Sequence, residues 1–171
     1  MVKNINKNRI FRYNRRIRGQ TDYKQRLRLL KSGLTRVVIR RSNNNMSVQF
    51  VNYGPNGDQV VTSVKSNELK KLGYTLHTGN ISSAYLTGLL AGKKALKAKV
   101  EGDLIVDFGL QEIEYGNRLF AAVKGLVDSG VNLRVGEDVF PAEERINGEH
   151  LTAKDAQKVI EKVKKSIEGM K

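Results

Sequence analysis

Positive charge is concentrated in the first 41 residues of this 171-residue chain. That segment has fourteen Lys or Arg residues against one acid, Asp22, and so holds a net charge of +13 out of +14 for the whole chain. Such a segment repels itself and cannot bury enough apolar surface to fold alone, whereas the remainder is nearly neutral. The sequence therefore predicts a folded domain preceded by a segment that a polyanion would order.

The basic segment has the composition of an RNA-binding arm. Most of its cations are arginines, whose planar guanidinium groups grip phosphate through two hydrogen bonds and stack on bases. Phe11, Tyr13 and Tyr23 lie among them and offer rings on which unpaired bases can stack. A solubilising tail or an import signal is the alternative, but it needs neither the arginines nor the aromatics. A membrane-surface arm is disfavoured because residues 3–20 have no helical apolar stripe.

The whole chain has 39% hydrophobic residues, and its length and composition are those of one soluble domain. The absence of cysteine excludes disulfides, a thiolate nucleophile and Cys-ligated zinc, and two histidines supply a metal site poorly. We therefore predict no cofactor and no bound metal. The N-terminus lacks the apolar region of a signal peptide, and no apolar run approaches the ~18 residues of a spanning helix. We expect a cytoplasmic protein without membrane contact.

The hydrophobic pattern predicts an α/β fold in three parts: a basic extended arm at 1–20, an α/β domain at 21–150 and an amphipathic helix at 151–171. Three β-rich stretches separated by turn residues predict an antiparallel meander. The predicted strands of the meander are 34–41, 46–52 and 59–64.

The second half of the predicted domain alternates helices with strands. A long helix followed by a strand predicts a parallel crossover, which would give a mixed sheet with flanking helices. Gly88 and Gly92 within the long helix predict that it lies very close to a sheet. The predicted elements are a short helix at 66–72, helices at 80–99 and 117–129, a strand at 103–108, a short edge strand at 131–135 and a turn of helix after Pro141.

Two helices have strong end signals. Thr21 is predicted to cap a helix that ends at Gly33, and Thr152 with Asp155 predicts a capping box for the last helix. In the first helix Tyr23, Leu27 and Leu30 are predicted to dock on the domain while Lys24, Arg28 and Lys31 face outward. In the last helix Ala156, Val159, Ile160, Val163 and Ile167 are predicted to be buried, and Lys154, Lys158, Lys162 and Lys165 to form a solvated face.

The first strand and the turn after it extend the predicted RNA-binding surface. Arg36 and Arg40 share one face of the strand, and the asparagines of the following turn can hydrogen-bond sugars or base edges. The predicted RNA-binding residues are Lys7, Arg9, Arg12, Tyr13, Arg15, Arg16, Arg18, Tyr23, Lys24, Arg26, Arg28, Lys31, Arg36, Arg40, Arg41, Asn43, Asn44 and Asn45.

Asp103 and Asp107 are the one pair of residues that suggests catalysis. Residues two or four apart on a strand share a face, and paired carboxylates can hold Mg²⁺ for phosphoryl transfer. A two-metal site also needs carboxylates from other strands, and the chain has no Walker-type loop, HExxH or GxSxG motif. We therefore predict no catalytic residue, and keep a metal-dependent nuclease and a basic-armed DNA-binding protein as alternatives.

Several long motifs in the same order give the chain a family resemblance. These are Thr21-Asp22-Tyr23, Arg26-Leu27-Arg28-Leu29-Leu30-Lys31-Ser32-Gly33, Arg40-Arg41-Ser42-Asn43, Tyr53-Gly54-Pro55-Asn56-Gly57-Asp58, Thr78-Gly79-Asn80, Ser83-Ala84-Tyr85-Leu86-Thr87-Gly88-Leu89-Leu90-Ala91-Gly92 and Asp107-Phe108-Gly109-Leu110. Over about 9–150 the chain resembles the archaeal and eukaryotic branch of the large-subunit ribosomal proteins that bind 5S rRNA. It lacks the long basic C-terminal extension of eukaryotic members and so looks archaeal.

The resemblance implies a ribonuclease-H-like topology without nuclease activity. It also implies a structural role in which the protein anchors 5S rRNA to large-subunit rRNA in the central protuberance, with the basic arm threaded between the two RNAs. Neighbouring ribosomal proteins of the central protuberance are further implied partners.

Overall fold

A four-stranded mixed sheet organises the fold in the computed structural model, which describes residues 12–100, 102–152 and 155–170. The strand order is β3-β2-β1-β4. Neighbouring pairs β1–β2 and β2–β3 are antiparallel, and β1–β4 is parallel. The predicted meander and the parallel pair are thus confirmed. The strands are β1 (Thr35–Arg41), β2 (Met46–Gly54), β3 (Gly57–Lys65) and β4 (Leu104–Asp107).

The short edge strand predicted at 131–135 is not a full strand. Within the described residues it is reduced to one parallel bridge between Leu133 and Leu104, so β4 is the last regular strand at that edge.

One face of the sheet is covered by helices and the other is largely open. Val37, Ile39, Val48 and Phe50 point to the covered face and are fully buried. This core face packs against α3 (Ile81–Lys97). The alternate residues of β1, including Arg36 and Arg40, point to the opposite side, which we call the open face.

Asparagine caps begin both long helices where the sequence predicts. Asn80 accepts from the Ser83 amide at 2.7 Å at the start of α3, and Asn117 accepts from the Leu119 amide at 2.7 Å at the start of α4 (Arg118–Asp128). Tyr74 also donates to Asn80 at 2.8 Å, and its burial raises the pKa of the phenol to about 12. The predicted short helix is a 3-10 helix, Ser66–Leu72, which ends at Gly73.

The glycines of α3 serve a helix pair, so the prediction that they bring α3 close to a sheet is wrong. A Cβ at Gly88 would lie 2.0 Å from the Ala122 carbonyl oxygen, and one at Gly92 would meet the Ser129 side chain. Gly125 of α4 is matched in turn against the Tyr85 carbonyl of α3. The two helices therefore approach through their backbones, which helical period alone cannot distinguish from approach to a sheet.

The start of the described chain is not wholly extended as predicted, because Asn14–Ile17 form a turn of helix, α1. Helix α2 (Tyr23–Lys31) begins one residue later than predicted, since Asp22 rather than Thr21 accepts from the Lys24 and Gln25 amides. Gly33 follows its end, with φ of +67°. The predicted docking face is wrong for Leu27, which is 54% exposed, whereas Tyr23 and Leu30 are half-buried and no residue of α2 is fully buried.

The chain after α4 consists of loops and short helices that lead to a docked C-terminal helix. The predicted turn after Pro141 is α5 (Glu143–Asn147), and a 3-10 turn, Glu137–Val139, precedes it. Helix α6 (Ala156–Glu168) packs against α3 and buries the predicted residues except Val159, which is partly buried. The predicted capping box does not form, since α6 begins after Asp155 and that side chain makes no capping hydrogen bond. No helix in 12–100, 102–152 and 155–170 has the length and apolar character needed to cross a membrane.

Candidate nucleic-acid interface

Helix α2 presents a cationic surface to solvent. Lys24, Arg28 and Lys31 are all exposed on it, at the predicted spacing. Asp22 is the single acid among the first 41 residues, and its side chain caps the N-terminus of α2. The salt bridges among the described residues do not include these three cations. Their charge is therefore available to an external anion.

An aromatic pair lies at the junction of α1 and α2. The ring centroids of Tyr13 and Tyr23 are 5.2 Å apart with a tilt of 31°, and Tyr13 is 72% exposed. Arg15 Nε donates to Thr21 Oγ1 at 3.0 Å and helps to set this junction. A ring held in place with most of its surface in solvent can stack on an unpaired base.

The remaining predicted residues of the basic segment divide by location. Arg12, Arg16 and Arg18 are exposed, in the part of the chain that flanks and includes α1. Lys7 and Arg9 lie outside the described residues.

Arg36 is the clearest departure from the predicted surface. Its side chain is 2% exposed, with Nη1 3.3 Å from Asp107 Oδ2 and Nη2 2.7 Å from Asp58 Oδ1. The Nη2 approach to Asp58 lacks hydrogen-bond alignment, and Nε has no partner among the described residues. The prediction that Arg36 offers its charge on the strand surface is wrong, because two carboxylates hold it inside the protein.

The side chain of Arg26 also contacts a carboxylate of the domain and does not extend into solvent alone. Its Nη2 lies 2.9 Å from both oxygens of Asp58, which ties α2 to the start of β3. Burial alone would raise the pKa of Asp58, but the close guanidinium of Arg36 and the hydrogen bonds and charge of Arg26 outweigh it and lower that pKa below its ordinary value. Asp58 therefore stays ionised and joins the helix to the sheet.

Arg40 completes this ionic network at the other end. Its Nη2 lies 3.0 Å from Asp107 Oδ1, its Nη1 also donates to the Asp107 carbonyl, and 40% of the side chain is exposed. Gly109 has φ of +67°, and a Cβ there would lie 2.9 Å from the Arg40 guanidinium. Three arginines thus share two carboxylates, Asp58 and Asp107, so the network keeps a net positive charge at the open face.

The asparagine turn between β1 and β2 is held rigidly from one side. Thr78 Oγ1 donates to the Asn44 carbonyl at 2.7 Å, and a Cβ at Gly79 would lie 2.3 Å from the Asn43 carbonyl oxygen. Asn43 and Asn44 are exposed, while Asn45 faces inward with Oδ1 3.4 Å from Ser66 Oγ. Two of the three predicted asparagines are therefore available for contact.

Arg118 is a residue of this region that sequence reasoning missed. Its Nη1 donates to the carbonyls of Gly79, Ser42 and Asn43 at 2.7, 3.3 and 3.4 Å. A cation in the first turn of a helix is disfavoured by the helix dipole. The position of Arg118 in the first turn of α4 was therefore a sequence signal that its charge has a role outside the helix. In the structure, that role is to join the asparagine turn to the start of α3.

The acids considered for metal binding both face cations. Asp107 contacts Arg36 and Arg40, whereas Asp103 Oδ2 lies 3.0 Å from Arg134 Nη2 and its Oδ1 accepts from Asn132 at 2.7 Å. Among the residues described, no three His, Asp or Glu side chains gather closely enough to hold a metal ion. The surroundings of Asp107 suit an ionic cross-link between strands.

Comparison with known proteins identifies the family. The family described as "Ribosomal large subunit proteins 60S L5, and 50S L18" matches residues 8–105, which include α2, the meander and α3. The chain belongs to this family. It is therefore a structural constituent of the large subunit of the cytoplasmic ribosome.

Two archaeal relatives place the similarity over most of the chain. The large ribosomal subunit protein uL18 of Methanococcoides burtonii is 48% identical over 139 residues, which are 81% of this chain and 80% of the relative. The protein of the same name from Methanothermobacter thermautotrophicus is 42% identical over 139 residues, 81% of this chain and 72% of the relative. The archaeal character predicted from the sequence agrees with both.

Proposed function

We propose that this family member binds 5S rRNA and anchors it to large-subunit rRNA in the central protuberance. The observation that carries the proposal is the outer face of α2, where Lys24, Arg28 and Lys31 have no carboxylate partner among the described residues, on a helix whose first residue, Tyr23, packs against the exposed ring of Tyr13. Unneutralised cations beside an exposed aromatic suit folded RNA, whose phosphates and unpaired bases are both accessible.

The three sequence segments receive different roles in this proposal. Residues 1–20 form the arm that enters between the two RNAs, 21–150 form the domain that positions it, and 151–171 complete the core through α6. The domain has a ribonuclease-H-like topology in this proposal, and Asp103 and Asp107 form ionic cross-links rather than bind a metal. Neighbouring proteins of the central protuberance cover parts of its surface.

The test replaces the three α2 cations together in the full chain: Lys24→Gln, Arg28→Gln and Lys31→Gln. The matched control replaces three exposed lysines of α6, which share the charge change but lie on the predicted solvated face: Lys158→Gln, Lys162→Gln and Lys165→Gln. Binding of 5S rRNA is measured by filter retention across a range of KCl concentrations.

We expect the α2 triple variant to weaken binding and to flatten the log–log salt dependence by roughly 0.7 to 0.9 for each phosphate that it no longer neutralises. The α6 triple variant should bind nearly as the wild type does. Equally weakened binding by the two variants would mean that only net charge matters. A wild-type preference for duplex DNA over 5S rRNA would contradict the proposal in favour of a DNA-binding protein.

A further inference from the structure

A cleft that opens to solvent lies where α3 and α4 begin, beside the end of β1. It has a volume of about 440 Å³, and its charged lining consists of Arg41 of β1, Arg118 of α4, Arg145 of α5 and a single acid, Glu114. His150 also lines it and can form a hydrogen bond through its imidazole. With three cations against one carboxylate, the cleft has a net positive charge that suits an anion.

Strand register and measured contacts bring Arg41 and Arg118 to the same place. Arg41 is paired with Met46, which is buried in the core, so the Arg41 side chain leaves the sheet on the covered face, where α4 contacts β1. Arg118 Nη1 donates to the carbonyls of Gly79 and Ser42 at 2.7 and 3.3 Å. Its guanidinium is therefore fixed beside the residue that follows Arg41.

The charges of the three arginines are not cancelled by the described part of the protein. The salt bridges found there include none of Arg41, Arg118 and Arg145. Arg118 uses Nη1 alone in its carbonyl contacts, and its other nitrogens are not among the buried atoms without a partner, so they reach solvent. Arg145 is exposed, and its own carbonyl accepts from Ser82 Oγ at 3.4 Å, which holds α5 at the start of α3.

The choice of arginine at this cleft indicates a phosphate ligand. After residue 41 the chain has only three arginines, although lysine is common there. Two of the three, Arg118 and Arg145, line this cleft, and the third, Arg134, lies 3.0 Å from the Asp103 carboxylate. A guanidinium presents a planar fork of donors that matches phosphate oxygens, which a lysine ammonium does not.

An exposed aromatic ring completes the lining. Tyr115 is 76% exposed, and its ring centroid lies 5.8 Å from that of Phe120 in an edge-to-face arrangement. Phe120 is itself buried and lies 5.7 Å from the ring of Phe108. The Tyr115 ring is therefore supported from below, with most of its surface free to stack on an unpaired base.

This cleft and the cationic surface of α2 lie on opposite sides of the sheet. Arg40 points to the open face and lines the cleft beneath α2, whereas the next residue, Arg41, points to the covered face and lines the cleft at the start of α3 and α4. The end of β1 thus separates two cationic surfaces, which can contact different RNA segments.

We propose that the cleft at the start of α3 and α4 is a second RNA-binding site, in which Arg41, Arg118 and Arg145 bind backbone phosphates and Tyr115 stacks on an unpaired base. The inference rests on the proposed RNA binding and extends it from the outer face of α2 to the other side of the sheet. Because 5S rRNA and large-subunit rRNA offer the same chemistry, the experiment tests each of them separately.

The experiment measures binding of the full chain to 5S rRNA and to a fragment of large-subunit rRNA across a range of KCl concentrations. The cleft variant combines Arg41→Gln with Arg145→Gln and leaves Arg118 in place, because that side chain also holds two turns together. The matched control combines Arg134→Gln with Lys97→Gln, which removes two exposed cations that lie outside the cleft. Circular dichroism and thermal melting verify that each variant is folded.

We expect the cleft variant to weaken binding of at least one of the two RNAs about 25- to 60-fold near 0.1 M salt and to flatten its log–log salt dependence by roughly 1.4 to 1.8, since each lost phosphate contact contributes roughly 0.7 to 0.9. The control variant should bind both RNAs nearly as the wild type does. The RNA whose binding weakens is the one that occupies the cleft.

Two further variants test the aromatic ring. Tyr115→Ala should weaken binding of the same RNA about fivefold or more, because it removes a stacking surface, whereas Tyr115→Phe keeps the ring and should bind nearly as the wild type does. Equal binding by these two variants would overturn the stacking role of Tyr115.

The outcomes distinguish this site from the proposed function. Unchanged binding of both RNAs by the cleft variant would overturn the second site, leave the cleft to an acidic protein segment, and leave the proposed function standing. Equal weakening by the cleft variant and its control would also overturn the site, since only net charge would then matter. Failure of the wild type to bind either RNA would overturn both the site and the proposed function.

Discussion

Arg26 of α2 and Asp58 of β3 are joined by two hydrogen bonds of 2.9 Å, and the same carboxylate lies 2.7 Å from buried Arg36. This carboxylate therefore connects a helix that buries none of its own residues to the sheet beneath it. We expect Asp58→Asn to lower the free energy of unfolding by about 2 kcal/mol, since two guanidinium groups are deprived of a charged partner and one of them stays buried.

Urea denaturation monitored by circular dichroism measures this change. Asp155→Asn is the control, because it removes an exposed i,i+3 pair with Lys158, which contributes little. If both substitutions had equally small effects, Asp58 would not hold the helix to the sheet.

The pH dependence of stability should reflect the same carboxylate. Because the folded pKa of Asp58 is lowered from the ordinary value of 3.8, its ionised form stabilises the fold at pH values above 3.8, and this stability is lost as the pH falls through the folded pKa. The difference in unfolding free energy between wild type and Asp58→Asn should therefore be constant near neutral pH and shrink below about pH 4. Urea titrations at a series of pH values measure it. A difference that grew on acidification would have the wrong sign.

Replacement of Asp107 separates a structural acid from a metal ligand. Its side chain is 10% exposed and contacts two arginines, so Asp107→Asn should lower the free energy of unfolding by about 3 kcal/mol. Neither wild type nor variant should cleave 5S rRNA or an RNA–DNA hybrid in Mg²⁺ or Mn²⁺. Gel analysis of end-labelled RNA makes the second measurement, and metal-dependent cleavage by the wild type that disappears in the variant would restore the nuclease alternative.

Much of the fold was predictable because its signals are local. Asn80 and Asn117 mark helix starts through their own side chains, and the strands of the meander follow from β-branched runs and turn residues. The burial of Arg36 and the exposure of Leu27 were not predictable in this way. They depend on Asp107, which is 71 residues from Arg36 in sequence, and on the absence of any described element packed over the outer side of α2.

The candidate site shows the same division. Charge and aromatic content were sufficient to predict the cations of α2 and the Tyr13–Tyr23 region. Arg118 was missed because the three carbonyls that it contacts come from two distant turns.

The close helix pair gives a test of packing that is independent of RNA. A Cβ at Gly125 would lie 2.1 Å from the Tyr85 carbonyl oxygen, and backbone on both sides cannot move away cheaply. We expect Gly125→Ala to lower the free energy of unfolding by about 3 kcal/mol, through overpacking. Gly136→Ala is the matched control, since no atom lies within 4 Å of its added Cβ. Similar unfolding free energies for both variants would contradict the close α3–α4 approach.

The most direct test of RNA anchoring is ultraviolet crosslinking of the full chain within assembled large ribosomal subunits, followed by sequencing of the linked RNA and peptides. The account predicts crosslinks from the Tyr13–Lys31 region to 5S rRNA, with further crosslinks from the same chain to large-subunit rRNA. Crosslinks from that region confined to large-subunit rRNA, with 5S rRNA untouched by any part of the chain, would contradict it.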